Sequence, residues 1–320
     1  TVNALPTISI VETDASGTTV NDNIICVGGS ATLTASGGAS YLWNTSETAA
    51  SITKTPVTTT SYTVTGTNAN GCENTATRAI TVNTLPAAPI ANSASLNYNG
   101  LLQTTPDLIP PSGQSISWFT ASVGGVNSSK PQGINVGTYN SYANAMINAT
   151  GCISSSRTLV FLTINKAPIT ITATPGQTKV YGAADPSSYA YTLSAPLFGA
   201  DALTGTLARA VGETVGPYAI NQGTLTNANY DITYVGNNFT ITKKPITITV
   251  DAGQTKVYGT ANPLTYTYGV SPSLTGLAAL TGTLTRVSGE SVGSYAIEQN
   301  DLTTANNPNY TINYVGNNFT

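Results

Sequence analysis

Across 320 residues, Asp, Glu, Lys and Arg make up 8% and the net charge is −3, whereas charged residues supply ~25% of an ordinary domain. That balance leaves no electrostatic footprint for nucleic acid or an anionic lipid surface. The absence of His excludes Ser-His-Asp and Cys-His nucleophiles and imidazole metal sites.

No apolar run approaches the roughly 20 residues of a membrane-spanning helix, and no secretion signal opens the chain. Low charge can also mean disorder, but β-branched residues and Tyr alternate with polar ones throughout, which disordered tracts do not do. The reading is all-β, as four tandem β-sandwich (Ig-like) domains in an extended rod.

Residues 1–6, Thr1-Val-Asn-Ala-Leu-Pro6, match Thr81-Val-Asn-Thr-Leu-Pro86, so they read as the tail of a preceding domain. Residues 7–84 read as a sandwich of short alternating strands: Thr7–Ile10, Ser30–Ser36, Ser40–Asn44, Ser51–Lys54, Ser61–Thr67 and Thr75–Val82. In Ser61–Thr67, Tyr62 and Val64 share one face while Thr63 and Thr65 share the other, as the period of two demands. Trp43 is the expected core anchor. Cys26 and Cys72 flank it, but Cys26 precedes its strand and Cys72 follows the Asn68–Gly71 turn. A disulfide between Cys26 and Cys72 at the edge of the sandwich is expected, with two buried thiols as the alternative.

Residues 85–165 are a diverged cousin. Ala149-Thr-Gly-Cys152 aligns with Asn70-Gly-Cys72, Tyr142 precedes its Cys by the same interval as Tyr62, and Trp118 is the expected anchor beside Phe119. No first Cys stands near Asn99, so Cys152 is expected to be a free thiol. Without a His or a cationic neighbour to make it a thiolate, it is no nucleophile.

From Lys166 the chain states one unit twice. Gly176-Gln-Thr-Lys-Val-Tyr-Gly182 recurs as Gly253–Gly259, Leu203–Leu207 as Leu280–Leu284, and Tyr234–Thr240 as Tyr314–Thr320. Residues 166–243 and 244–320 are therefore repeats, the second carrying an insertion around Ala305–Asn309 and stopping where the first continues as Ile241-Thr-Lys243. Each repeat is expected to fold as an independent bead. In the first copy the expected strands are Tyr189–Leu193, Leu203–Arg209, Tyr218–Leu225, Tyr230–Val235 and Phe239–Thr242, with Gly236-Asn237 as a turn.

Candidate chemistry is sparse. The acids are isolated, so the facing carboxylates of a glycosidase are missing, and the junctions lack the clustered acids that Ca²⁺ needs. No catalytic residue, metal ligand or cofactor is assigned. Lys179, Glu213 and Asn238, recurring as Lys256, Glu290 and Asn318, could form an internal isopeptide or could be plain surface residues. Tyr181, Tyr191, Tyr218, Tyr230 and Tyr234 could stack on sugar or pack as cross-strand partners.

Ile25–Leu33, Tyr41-Leu-Trp43, Tyr62-Thr-Val64 and Asn70-Gly-Cys72 resemble the Ig-like/PKD-like modules of very large surface proteins in Bacteroidetes. Ser115–Phe119 with Gly151-Cys152 is similar to a sister Ig-like module. The two C-terminal units look like the MBG-type repeat, through Ile-Thr-Ile-Thr, Lys-Val-Tyr-Gly and the closing Asn-Tyr and Asn-Phe-Thr. The mixture resembles a giant repeat adhesin of the gliding-motility type. The resemblance implies a non-catalytic segment of a filamentous cell-surface adhesin, located extracellularly and exported by the type IX secretion machinery. As partners it implies an extracellular surface or polysaccharide, reached through other parts of the parent protein, together with the gliding machinery. The alternatives are a polysaccharide-binding repeat module and a spacer in a secreted multidomain enzyme.

Overall fold

The computed structural model describes residues 2–320; Thr1, the first residue of the expected tail, lies outside them. The described residues form strands and turns with no helix. They divide into two compact units, Thr1–Asn165 and Lys166–Thr320, and each unit contains two sandwiches.

In the first sandwich, Ala31–Ser36 lies between Ser9–Asp14 and Ser51–Lys54, facing a four-stranded sheet ordered Ile24–Cys26, Glu73–Asn83, Thr60–Thr67, Ser40–Trp43. Alternation places Ala31, Leu33, Ala35, Tyr62 and Val64 in the core between the sheets, since successive side chains of a strand point to opposite faces. Trp43 joins them, 2% exposed, its indole N–H donated to Ala49 O at 2.9 Å. Cys26 precedes the strand Ala31–Ser36 as expected, but it also closes an unexpected short strand, Ile24–Cys26, which pairs in parallel with Thr81–Asn83.

The second sandwich has one full sheet, ordered Gln114–Phe119, Gly137–Ile147, Thr158–Asn165, Ala94–Asn97, and a two-stranded partner formed by Gln103–Thr104 and Gln132–Gly133. Trp118 is not its anchor. It is only half-buried, and Tyr98, Val160, Leu162 and Ile164 fill the interior instead. Phe119 is covered by the Arg157 guanidinium, 3.4 Å from the ring centroid.

In the first repeat, Ala167–Ala173 sits between Tyr191–Leu193 and Tyr230–Val235, and a second sheet runs Thr178–Val180, Asn237–Thr242, Gly216–Asn221, Ala208–Arg209. Gly236 is not a hairpin turn. One residue cannot reverse the chain, so Tyr230–Val235 and Asn237–Thr242 pass from one sheet to the other, the corner expected where a strand switches sheets. Only Ala208–Arg209 of the expected strand Leu203–Arg209 forms, with an isolated bridge from Thr204 to Thr226 before it.

The second repeat reproduces the plan with Lys244–Val250 between Tyr268–Ser271 and Tyr310–Val315. The two copies are not independent beads. Ile246 and Tyr310 of the second lie in one buried cluster with Ile171, Tyr181, Phe239 and Ile241 of the first, and Leu274, Leu277 and Ile312 pack against it.

Candidate functional site

The cysteines pair differently from the sequence expectation. Cys26 is bonded to Cys152, with Cα atoms 5.6 Å apart, and Cys72 is free. The reason lies in the strand Glu73–Asn83. Cys26 sits opposite Asn83 at one end of it, and Cys72 immediately precedes its other end. Eleven residues at a strand's rise separate the two by about 35 Å, whereas a disulfide needs Cα atoms within ~7 Å. The bond therefore joins the first sandwich to the second.

The strand-following turn that carries Cys152 lies against the Gly17-Thr18 loop. A Cβ at Gly151, whose φ is +67°, would stand 2.8 Å from Thr18 N. Only glycine admits both that backbone conformation and that approach. Ser16 Oγ accepts the Cys26 N–H at 2.8 Å, and Asp14 Oδ1 accepts the Ser16 N–H, so the loop holds its cysteine in place. Cys152 is 1% exposed. Cys72 is half-buried; its N–H bonds Asn68 Oδ1 and its thiol reaches Asn3 O at 3.9 Å.

Near that loop, Glu12 is buried, and burial pushes its carboxyl above the usual range, with Asp14 and Asp22 adding to the rise and the Asn23 N–H opposing it. Oε2 accepts the Asn23 N–H at 3.0 Å, while Oε1 has no hydrogen-bond partner.

In the first repeat, Lys179 and Glu213 do meet, at 2.5 Å, but Asn238 is not the third member. It is exposed and stands across from Ala219 on the neighbouring strand. Asp185 and Arg209 complete the group. Lys179 Nζ lies 2.7 Å from Asp185 Oδ1, Arg209 Nε lies 2.9 Å from Asp185 Oδ2, and Arg209 also pairs with Glu213. The cation side chains are 5% and 6% exposed, the acids 38% and 64%.

The Arg209 guanidinium beside Asp185 holds that carboxyl below its ordinary value, and Lys179 does the same for Glu213. Burial alone would lower Lys179, yet Asp185 and Glu213 outweigh it and the ammonium is raised. An amide bond would require the opposite protonation states, a neutral amine and an un-ionised carboxyl. This is an ion-pair network, not an isopeptide precursor.

The second repeat keeps Lys256, Arg286 and Glu290 but has Asn262 where the first has Asp185; Asn262 Oδ1 accepts from Arg286. Both arginines also donate to the backbone, at Gly212 O and Gly289 O, and lie over Tyr218 and Tyr295. They pin the loop between two strands.

The five tyrosines do not make a sugar-stacking face. Tyr181 and Tyr230 are buried, Tyr218 and Tyr234 half-buried with Tyr234 OH donated to Ile220 O, and Tyr191 alone of the five is exposed. Among the described residues no group of three or more Cys, Asp or Glu side chains is placed to hold a metal ion. Among the described residues no helix is long and apolar enough to cross a membrane.

Residues 169–240 and 246–320 match the MBG domain (YGX type) family, which bears out the resemblance of the two C-terminal units. No curated protein matches the chain. Among solved structures it is similar to the N-terminal Ig1-2 module of the Drosophila receptor protein tyrosine phosphatase DLAR, at 15% identity over 49% of this chain and 98% of that one, TM-score 0.17. It is also similar to a Dscam structure bearing on isoform specificity (12% identity, 97% and 99% covered, TM-score 0.20). The eight N-terminal Ig domains of DSCAM isoform 1.30.30 give 13% identity, with 98% and 50% covered and a TM-score of 0.21. Scores this low say nothing of what the chain does.

Proposed function

We propose that this chain is a non-catalytic, load-carrying segment of a larger cell-surface protein, an adhesin of the gliding-motility type displayed outside the cell. One observation carries the reading: in three of the sandwiches the last strand lies parallel to an early one, and the fourth keeps the matching backbone hydrogen bonds. The pairs are Ile24–Cys26 with Glu73–Asn83, Ala94–Asn97 with Thr158–Asn165, and Thr178–Val180 with Asn237–Thr242. In the second repeat Thr320 N–H donates to Gln254 O and accepts, through its carbonyl, the Lys256 N–H.

In the two repeats, tension applied at the chain ends pulls these parallel neighbours along their length, so their evenly spaced hydrogen bonds share the load and break together; in the first unit the Cys26–Cys152 bond takes the load past Glu73–Asn83 and Ala94–Asn97. An antiparallel hairpin pulled from its open end instead loses its bonds one at a time. The disulfide fits an oxidising, extracellular setting, and the charge-poor surface offers no reaction chemistry to set against this role.

Single-molecule pulling of the full chain, with a helical-bundle domain in the same tether as reference, tests the reading. The repeats are expected to unfold at higher force than the bundle; unfolding below it would sink the proposal. An end-to-end array belongs to the same reading, with a maximum dimension in solution scattering of about 150 Å, from four sandwiches of 10–12-residue strands.

A further inference from the structure

The contact between the two repeats is asymmetric. The first repeat offers Tyr181, Gly182 and the Val215 N–H. The second offers Tyr310, Leu277, Ala278 and Asn309. Tyr181 and Tyr310 meet edge to face at 5.5 Å, and Tyr181 OH accepts the Ala278 N–H at 3.3 Å. Asn309 Oδ1 accepts the Val215 N–H at 3.0 Å. Leu277 lies so close over Gly182 that a Cβ there would stand 2.7 Å from it.

The second repeat carries the first repeat's half of this contact again, as Tyr258, Gly259 and Val292, and here it is uncovered. Tyr258 is 72% exposed where Tyr181 is 8%, and Val292 is 88% exposed. Nothing stands within 4 Å of a Cβ at Gly259. A groove of about 500 Å³ opens beside them, lined by Tyr258, Arg286, Val292, Tyr295 and Phe319.

We infer that the face formed by Tyr258, Gly259 and Val292 is a docking surface for one further repeat of the second copy's type, seated as the second is seated on the first. The interface is heterologous, so each seated repeat presents a fresh face and the stack does not close. The contacts specify the partner. It needs Tyr at the Tyr310 position for the edge-to-face contact, Asn at the Asn309 position for the Val292 N–H, and Leu at the Leu277 position over Gly259.

A second copy of the present chain is a poorer occupant. The first repeat has Asn229 and Tyr230, but Ala200 and Asp201 stand at the positions of Leu277 and Ala278. The inference does not depend on the load-carrying role.

The test extends the full chain beyond Thr320 by Ile-Thr-Lys and a duplicate of residues 244–320, and follows amide exchange. In the 320-residue chain the Val215 amide exchanges slowly and the Val292 amide fast. In the extended chain Val292 should slow by at least about tenfold, because its exchange then requires opening of the new contact. Tyr258→Ala in the extended chain, a change to a side chain exposed in the present one, should restore much of the fast exchange.

Val292 exchanging equally fast in both chains overturns the inference, as does a fast Val215. A duplicate whose own core amides stay unprotected also counts against it, since the seated repeat shares its core with its host, as Ile246 and Tyr310 do here. Head-to-tail association of the 320-residue chain, abolished by Tyr258→Ala, would replace the further repeat by a second copy as the occupant.

Discussion

Reducing Cys26–Cys152 should change how much chain the first unit releases under tension. The bond spans a sequence separation of 126, and force entering at one end of the unit and leaving at the other crosses it directly. Segments between the two cysteines, including Glu73–Asn83 and Ala94–Asn97, carry none of the load. With the bond intact, complete unfolding of the unit frees only the residues before Cys26 and those from Cys152 to Asn165, about 40 in all, or roughly 140 Å at ~3.4 Å per residue. With the bond reduced, the released contour grows by about 430 Å on the same scale.

Stability should fall as well. The chain-entropy treatment of a loop this long gives roughly 5 kcal/mol, and because the loop spans two sandwiches the loss is shared between them. The assay is force–extension of the full chain with and without dithiothreitol, alongside C26S/C152S and C72S. The double variant should behave as the reduced chain, and C72S as the untreated one. Equal contour increments in oxidised and reduced chains, or lengthening caused by C72S, would refute the connectivity and the bypass drawn from it.

Cys72 should take up one equivalent of iodoacetamide in the native, unreduced chain while Cys26 and Cys152 take none, as peptide mass mapping would reveal. Glu12→Gln should stabilise the first sandwich by about 1 kcal/mol at pH 7, because it removes a buried carboxylate with an unpartnered oxygen. The folded carboxyl is raised above its unfolded value, so its unfavourable contribution sets in as pH rises through the ordinary glutamate range. The variant's thermal midpoint should lack that downward slope. In the first repeat Asp185 and Glu213 are both lowered. Their contribution is therefore complete above the usual carboxylate pKa near ~4 and is lost as pH falls through the lower folded values. Acid should therefore lower the thermal midpoint of the repeats, and Asp185→Asn should shrink that acid-side fall in a calorimetric pH series. Arg209→Met loses the ion pairs, the bond to Gly212 O and the guanidinium over Phe239; we expect about 1–3 kcal/mol of destabilisation by denaturant titration.

Features fixed by local pattern were legible in the chain. The alternation of Tyr62 and Val64 with Thr63 and Thr65 places the buried face of Thr60–Thr67 correctly, and the duplicated Lys-Val-Tyr-Gly marks the repeats wherever they sit. What escaped was set by partners far along the chain. Nothing near Cys26 distinguishes Cys72 from Cys152; the choice follows from Cys26 and Cys72 occupying opposite ends of Glu73–Asn83, which only the parallel pairing of Ile24–Cys26 reveals. Trp118 satisfies every local criterion for an anchor, yet the core of that sandwich is filled by Tyr98 and the Val160–Ile164 strand. Tyr181 and Tyr258 have identical neighbours in sequence and opposite exposures, because Leu277 and Tyr310 cover only the first. The ion-pair group was half visible. Lys179 and Glu213 recur together, but Asp185 does not recur and Arg209 was overlooked, although Arg286 repeats it at the same interval before Glu290.

The two units join their sandwiches by different physics, and the difference has consequences for how each joint fails. Between the first two sandwiches the tie is one covalent bond, set where the Gly17-Thr18 loop and the Gly151 turn approach at backbone distance. Such a joint is indifferent to temperature and denaturant but opens with a reductant. Between the repeats the tie is apolar burial around Tyr181, Ile246 and Tyr310, reinforced by the Val215–Asn309 bond. That joint ignores reductant and weakens with anything that favours exposure of apolar surface. It also couples folding. A repeat whose neighbour unfolds loses cover for its own core, so the two repeats should melt as one cooperative transition, a nearest-neighbour effect. Tyr310→Ala, made in the second repeat, should accordingly lower the unfolding midpoint of the first; two separated calorimetric transitions, with the first repeat's unmoved by that change, would contradict a shared core.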